Sequence, residues 1–287
     1  MKKRTKALPA LCALLASLIL PGFYNALKVV TYPVSAEGVP GKVRAALITD
    51  LHSCAYGEGQ RELLDAVDAQ KPDLVLLGGD IFDDDLRDDN ALTFLKSVSG
   101  KYPCAYVTGN HEYWSGEEKF RERMKALEDL GIPRLSGGKA GFEIKGTRLT
   151  VLGVDDPYAW KGRKGFTEYA SGSFEEQLRE AAALREEGAF TILLTHRPEK
   201  LDLYAAYGFD LVLAGHAHGG QIRVPGLING LWAPDQGAFP ALAGGRYERD
   251  GTVMIVSRGL ARESTFIPRF YDRPELVIVD IGGAEAK

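Results

Sequence analysis

Short apolar runs alternate with longer polar, helix-periodic segments along this chain from residue 43 onward. The runs are VRAALIT (43–49), DLVLL (73–77), CAYVT (104–108), FTILLT (190–195) and LVLA (211–214). Stretches of that length, rich in Val, Ile and Leu, predict strands buried on both faces. Segments 58–70, 86–98, 117–130 and 174–187 carry helical spacing between them, so the pattern predicts an α/β sheet. Three later runs, 221–224, 252–257 and 275–281, predict further strands that complete it.

The first 42 residues depart from this pattern. After the basic cluster KKRTK no charge occurs from Ala7 to Leu27, a stretch of 21 residues. A helix needs roughly 20 to cross the hydrocarbon core of a membrane. Pro9 and the pair Pro21-Gly22 weaken its two ends. The expectation is an N-terminal transmembrane or signal-anchor helix over 1–27, with the basic cluster cytoplasmic and the body extracytoplasmic. Secretion after signal cleavage is the alternative; Val34-Ser35-Ala36 offers small residues for it but lies well beyond the apolar run. Residues 28–42, with Pro33, Gly38, Pro40 and Gly41, read as a linker, and 43–287 as the folded body.

Charge and cysteine content narrow the partners. The formal net charge is −4, and setting aside Lys2, Lys3, Arg4 and Lys6 leaves −8 for the remainder. An acidic body does not favour a phosphate backbone held by charge, so no nucleic acid is expected. Cys12 lies in the apolar run. A Cys54–Cys104 disulfide is open to an exported body, although spacing does not establish it.

The residues that follow the apolar runs bring in chemistry. The runs end in Asp50-Leu51-His52, Gly78-Gly79-Asp80, Gly109-Asn110-His111-Glu112, His196, and Gly215-His216-Ala217-His218. Open α/β sheets bind ligands beyond the carboxyl ends of their strands. All five histidines of the chain sit at such ends. Imidazole, carboxylate and amide groups gathered there point to a shared divalent-metal site.

Taken together, DLH, GGD, GNHE, the isolated His196 and GHAH resemble the five-block signature of the calcineurin-like metallophosphoesterases, over residues 43 to about 220. Beyond them GHAHGGQIRVP, APDQG and SRGL…RPELVIVDI resemble a narrower bacterial group whose members carry an N-terminal membrane anchor or export signal. The resemblance implies a four-layer α/β/β/α sandwich, with 43–287 as the catalytic domain and two divalent metals at one edge. Asp50, His52 and His218 would hold the first metal; Asn110, His196 and His216 the second; Asp80 would bridge them. Nitrogen and oxygen ligands suit Mn, Fe or Zn without choosing among them. The implied chemistry is metal-dependent phosphoric ester hydrolysis, with a metal-bridging hydroxide attacking phosphorus in line.

His111 has no ligand role in this scheme. The resemblance places it on the leaving-group side as a catalytic residue; the other reading is a structural histidine bonded to the Asp50 or Asp80 carboxylate. The expected substrate is a phosphodiester that is envelope-associated, lipid- or cell-wall-linked. Alternatives are a phosphomonoesterase, a UDP-diacylglucosamine-type pyrophosphatase or, from a different class, a non-catalytic metal-binding interaction module. Arg197, Gln221 and Arg223 are candidates for substrate-phosphate contacts, with surface roles as the other reading. Asp83 to Asp85, with Asp88 and Asp89, read as a solvated loop and helix start. Cys54 reads as a small structural residue. The apolar, turn-rich segment with Leu231, Trp232, Ala233, Pro234 and Phe239 either covers the core or meets a lipid.

Overall fold

The computed structural model describes residues 7–36, 39–161, 171–262 and 267–283; the basic cluster before Ala7 lies outside them. The strands are β1 (Lys28–Val34), β2 (Val43–Ile48), β3 (Leu74–Gly78), β4 (Cys104–Val107), β5 (Lys139–Ile144), β6 (Thr147–Gly153), β7 (Phe190–Leu194) and β8 (Leu211–Ala214). They continue with the short pair β9 (Trp232–Ala233) and β10 (Gly237–Ala238), then β11 (Gly245–Arg249), β12 (Thr252–Val256) and β13 (Glu275–Ile281). The helices are α1 (Ala7–Ile19), α2 (Arg61–Gln70), α3 (Asp89–Ser99), α4 (Asn110–Trp114), α5 (Glu117–Asp129), α6 (Tyr158–Lys161), α7 (Phe174–Ala183) and α8 (Leu201–Ala205).

Two mixed sheets form the centre, a five-stranded one in the order β1-β13-β2-β3-β4 and a six-stranded one in the order β11-β12-β8-β7-β6-β5. Side-chain alternation along each strand feeds two faces at once. In β2, Ala45 and Leu47 enter the layer between the sheets, where they meet Leu149, Val151, Ile192 and Leu213. Ala46 and Ile48 point the other way, into a layer with Leu63 and Val67 of α2 and Phe94 and Leu95 of α3. On the far side of the second sheet, Leu193 and Val212 pack with Phe174 and Leu178 of α7 and Tyr204 of α8. Three apolar layers between four layers of secondary structure make an α/β/β/α sandwich. Each such Leu or Val, wholly withdrawn from water, contributes about 1.5–3 kcal/mol.

Topology sets the site. β2, β3 and β4 run parallel to one another, as do β6, β7, β8 and β12. Their carboxyl ends therefore lie side by side at one edge of the sandwich. The two sheets touch there: the His196 ring donates through Nδ1 to the Gly78 carbonyl at 2.9 Å, and the His216 amide donates to Asp50 Oδ1 at 2.9 Å.

Several expectations need correction. The apolar run from Ala7 to Leu27 is not one helix: α1 stops at Ile19 after 13 residues, and Leu20–Phe23 tightens into a 3₁₀ turn around Pro21. At ~1.5 Å per residue α1 falls well short of a ~30 Å hydrocarbon core. No helix among the described residues is long and apolar enough to cross a membrane. Residues 28–34 are not linker but the edge strand β1, paired in parallel with β13 from Lys28 against Glu275 to Val34 against Ile281. Segment 221–224 joins no ladder; it makes only isolated bridges, from Ile222 to Phe270 and from Val224 to Ile228. No disulfide joins Cys54 and Cys104; both are buried, and burial pushes the Cys104 thiol pKa up to about 12.

Candidate metal centre

Each strand end turns sharply as it leaves its sheet. Asp50, His52, Asp80, His216 and His218 all adopt positive φ, between 45° and 65°. Residues with a Cβ pay for that conformation, by ~1–2 kcal/mol each, and such strain gathers where geometry is fixed for function. Glycines make room between these turns. At Gly109 a Cβ would sit 2.2 Å from Asp80 Oδ1, and at Gly79, with φ +88°, one would sit 2.7 Å from the Gly109 nitrogen. A side chain at either position would push the Asp80 and Asn110 turns apart.

Seven side chains converge in this space. Asp50, His52 and His218 can offer one ligand atom each within 4.8 Å of one another, and so can Asp80, His196 and His216. Asp80 sits between the groups, its Oδ2 3.6 Å from His52 Nε2 and 3.1 Å from His196 Nε2. Asn110 occupies the first turn of α4 and is buried beside them. All seven residues are at least 94% withdrawn from solvent.

Their hydrogen bonding tests whether metal ions fit. Buried polar atoms in folded proteins almost always have a partner. Here His52 Nε2, Asp80 Oδ2, Asn110 Oδ1, His196 Nε2 and His218 Nδ1 are buried without a well-formed hydrogen bond, although Asp80 Oδ2 and His196 Nε2 face each other as an ion pair at 3.1 Å. The other ring nitrogens are committed: His52 Nδ1 donates to Asp83 Oδ2 at 3.0 Å, and His196 Nδ1 to the Gly78 carbonyl. His216 Nε2 lies 2.7 Å from Arg197 Nη1 and 2.9 Å from Asp235 Oδ2. Holding one imidazole nitrogen by a hydrogen bond and aiming the other at a common centre is how histidine ligands are oriented. Burial, aided by the Arg197 charge, lowers the pKa of His216. Burial and the His52 ring lower that of His218 further. Both are thus held neutral, the form that binds a cation. An oxygen and nitrogen set without thiolate, a carboxylate at its middle and orphaned atoms facing inward fit two divalent cations.

Against this geometry the comparisons with known proteins are direct. Residues 43–220 match the family model described as calcineurin-like phosphoesterase. The chain belongs to that family. The matched span runs from the first residue of β2 through the histidine turn, and so contains all seven converging residues. A metallophosphoesterase of Helicobacter pylori is 31% identical over 70% of this chain and 52% of its own length. Phosphodiesterase YaeI of Escherichia coli is 30% identical over 58% of this chain and 55% of its own. The chain thus spans about half the length of these relatives. The NAD nucleotidase of Haemophilus influenzae shares the fold, with a TM-score of 0.50 at 19% identity over 75% of this chain and 44% of that one.

Groups around a metal site orient its ligands, and several of those around this cluster carry no sequence signal. Glu112 is wholly buried and accepts from four backbone amides, those of Asp80, Ile81, Phe82 and Gly109, at 2.7 to 3.2 Å. It ties the Asp80 turn to the start of α4, although burial and the Asp80 charge push its carboxyl up. The acidic run splits in two. Asp85 and Asp89 are exposed as expected, but Asp83 is buried against His52, and Asp84 accepts from His111 Nδ1 at 2.6 Å. Arg123, also buried, donates to the Asp83 carbonyl and to the Asp88 carboxylate and so props this loop. The run is therefore an orienting device for two histidines rather than a solvated loop.

A cavity of about 530 Å³ opens over the cluster. Its polar lining is Asp80, Asn110, His111, His216, His218, Gln221 and Asp235, and its aromatic and apolar lining is Trp114, Tyr158, Trp232, Pro234 and Ile267. His111 stacks edge-on against His52, with centroids 4.3 Å apart, and its amide, not its ring, bonds Asp80 Oδ1. Although burial opposes the charge, Asp80 and Asp84 push its pKa up to about 9. Gln221 does reach the cavity, with a buried, unpartnered Oε1. Arg197 and Arg223 do not line it. The Arg197 guanidinium is enclosed by Asp156, Asp235 and His216, and Arg223 lies half-buried toward Arg258.

Proposed function

We propose that this chain is a dinuclear-metal phosphodiesterase. The observation that carries the reading is the charge of the cavity. No lysine or arginine among the described residues lines it, and its walls are largely aromatic and apolar. Arg197, which touches the lining residue His216, is already offset by Asp156 and Asp235, so His111 is left as the lining side chain drawn toward a positive charge. A phosphomonoester brings two negative charges and one organic arm; a diester brings one charge and two arms. Apolar walls that hold no lysine or arginine suit the second. The name of the Escherichia coli relative is in keeping with this choice.

Asp50, His52 and His218 would hold one cation, Asn110, His196 and His216 the other, with Asp80 between them. When bound, two such ions supply Lewis acidity toward phosphoryl oxygens and acidify water. The remaining work belongs to side chains. His111, fixed through Nδ1 by Asp84, keeps Nε2 for the leaving oxygen as a proton donor. Gln221 offers an amide in the cavity lining to orient the ester. Trp114, Tyr158 and Trp232 exclude water from around the arms, which strengthens each polar contact at phosphorus.

The test is a rate comparison. The full-length chain, supplied with Mn, Zn or Fe, is expected to show a higher kcat/KM on a bis-aryl phosphodiester than on the matching aryl monoester. A preference for the monoester would overturn the reading.

A further inference from the structure

Large apolar side chains are exposed in two places far apart in sequence. Leu18, Leu20, Phe23 and Tyr24 stand out from α1 and the turn after it. Leu227 is 84% and Phe239 65% exposed, beside half-exposed Trp232. The structure joins the two places. Tyr271 donates through its amide to the Gly22 carbonyl at 2.6 Å and through its hydroxyl to that of Leu18. The Phe23 and Phe270 rings meet edge-on with centroids 5.1 Å apart. Phe270 exchanges 2.9 Å backbone bonds with Gln221 and Arg223, and Leu231 donates to the Gly220 carbonyl at 3.0 Å. These contacts form one flank, and Gln221, Trp232 and Ile267 within it line the cavity over the ligand cluster.

The composition of this flank identifies what covers it. α1 carries no charge along its length, and four basic residues, Lys2, Lys3, Arg4 and Lys6, precede it in the sequence. An apolar segment next to a basic cluster supplies the two signals that hold a chain to an anionic membrane surface. Exposed Trp, Tyr and Phe are the residues that settle at the headgroup level. Contiguous apolar surface of this kind on a chain with a net charge of −4 marks an interaction site rather than a solvated face.

We propose that this flank rests in a lipid bilayer and that the substrate is a membrane amphiphile, a phosphodiester one of whose arms carries an acyl chain. The proposal rests on the phosphodiesterase reading above. In the reaction a bond forms from phosphorus to the oxygen of water while the bond from phosphorus to one ester oxygen breaks. One water proton ends on that oxygen, giving an alcohol, and the other arm is retained as a phosphomonoester. The apolar walls then hold the acyl-bearing arm, which reaches the cavity past Trp232 without crossing water.

The full-length chain is reconstituted with phosphatidylcholine vesicles, with and without phosphatidylglycerol, containing lipids brominated on the acyl chains. Quenching of tryptophan emission is expected, stronger with the anionic lipid, and most of it is expected to vanish in Trp232→Phe, since Trp114 and Trp160 are set deeper. Turnover is followed on a soluble bis-aryl diester and on an acyl-bearing diester embedded in the vesicles. The double variant Leu227→Ser/Phe239→Ser, at two positions outside the cavity, is expected to lose roughly tenfold or more on the embedded substrate and nothing on the soluble one. Equal losses on both, absence of Trp232 quenching, or a dimer that buries the flank would overturn the proposal. Hydrolysis of the soluble diester alone would do the same while leaving the phosphodiesterase reading intact. Trp232 quenching with neither diester hydrolysed would bring down that reading instead.

Discussion

Two sets of polar side chains are buried next to each other in this molecule, and they are finished differently. Around Asp155, Asp156 and Arg197 the bonding is complete. Asp155 accepts from Thr108, Arg134, Ser136 and Gln177; Arg197 is forked onto Asp156 and reaches Asp235. In the ligand cluster, touching that network at His216, five buried polar atoms make no well-formed hydrogen bond and five residues sit at positive φ. Folding alone gains nothing from the second arrangement, since each orphaned group costs ~1–3 kcal/mol. The paired set is structure, and the unpaired set holds the donor atoms that the proposed metal ions would take up.

Removing ligands should therefore affect the two sets in opposite ways, and the largest effect is expected at the middle of the cluster. Asp80→Ala should bring turnover to background and strip most bound metal. His216→Ala and His218→Ala should each leave about one ion per chain by elemental analysis, with most turnover gone. Full activity in any of the three would break the assignment. His111→Ala is expected to lower kcat by ~10²–10⁴-fold with both ions retained, because its ring lines the cavity and is held through Nδ1 by Asp84. Parallel loss of metal and rate would return it to a structural role. In the paired set Arg197→Met should cost about 3–5 kcal/mol in denaturant unfolding of the metal-free protein, by leaving Asp156 buried without its partner. An unchanged midpoint would mean that the network contributes little to the fold.

The same contrast decides what could be read from sequence. The convergence of the candidate ligands was legible because each is a chemically distinctive residue directly after an apolar run, and a parallel strand delivers its last residues to one edge whatever surrounds it. Their supports were not. Asp83 lies in a run whose composition matches a solvated loop, and only the turn after β3, braced by Arg123, takes it inward to His52. Glu112 stands in the sequence only as the last residue of the GNHE block, and nothing local shows that four amides from two separate turns converge on it. Arg197 follows His196 and so invited a phosphate; its charge is claimed by Asp156 and Asp235, from segments that no local pattern links to it. β1 is similar: KVVTYPV, with its proline, becomes a strand because β13, from the other end of the chain, supplies the edge. Pairing between distant segments is set by the whole fold, whereas strand ends carry their chemistry with them.

The smallest expected effect concerns a proton within the unpaired set. Burial works against a charge on His196, yet the Asp80 and Asp50 carboxylates push its pKa up to about 10 in the metal-free protein. It is therefore charged near neutral pH, while His216 and His218 are held neutral. A cation binding at His196 Nε2 has to displace that proton. Affinity should then rise with pH, by about tenfold per unit below the folded pKa, and level off above it. Nitrogen-15 NMR of histidine-labelled, metal-free protein at about pH 7.5 checks the starting state. His196 and His111 should be charged, and added zinc should turn His196 neutral while His111 keeps its proton. If His196 is neutral before metal is added, the carboxylates do not hold its charge, and the paired and unpaired sets differ less than their geometry says.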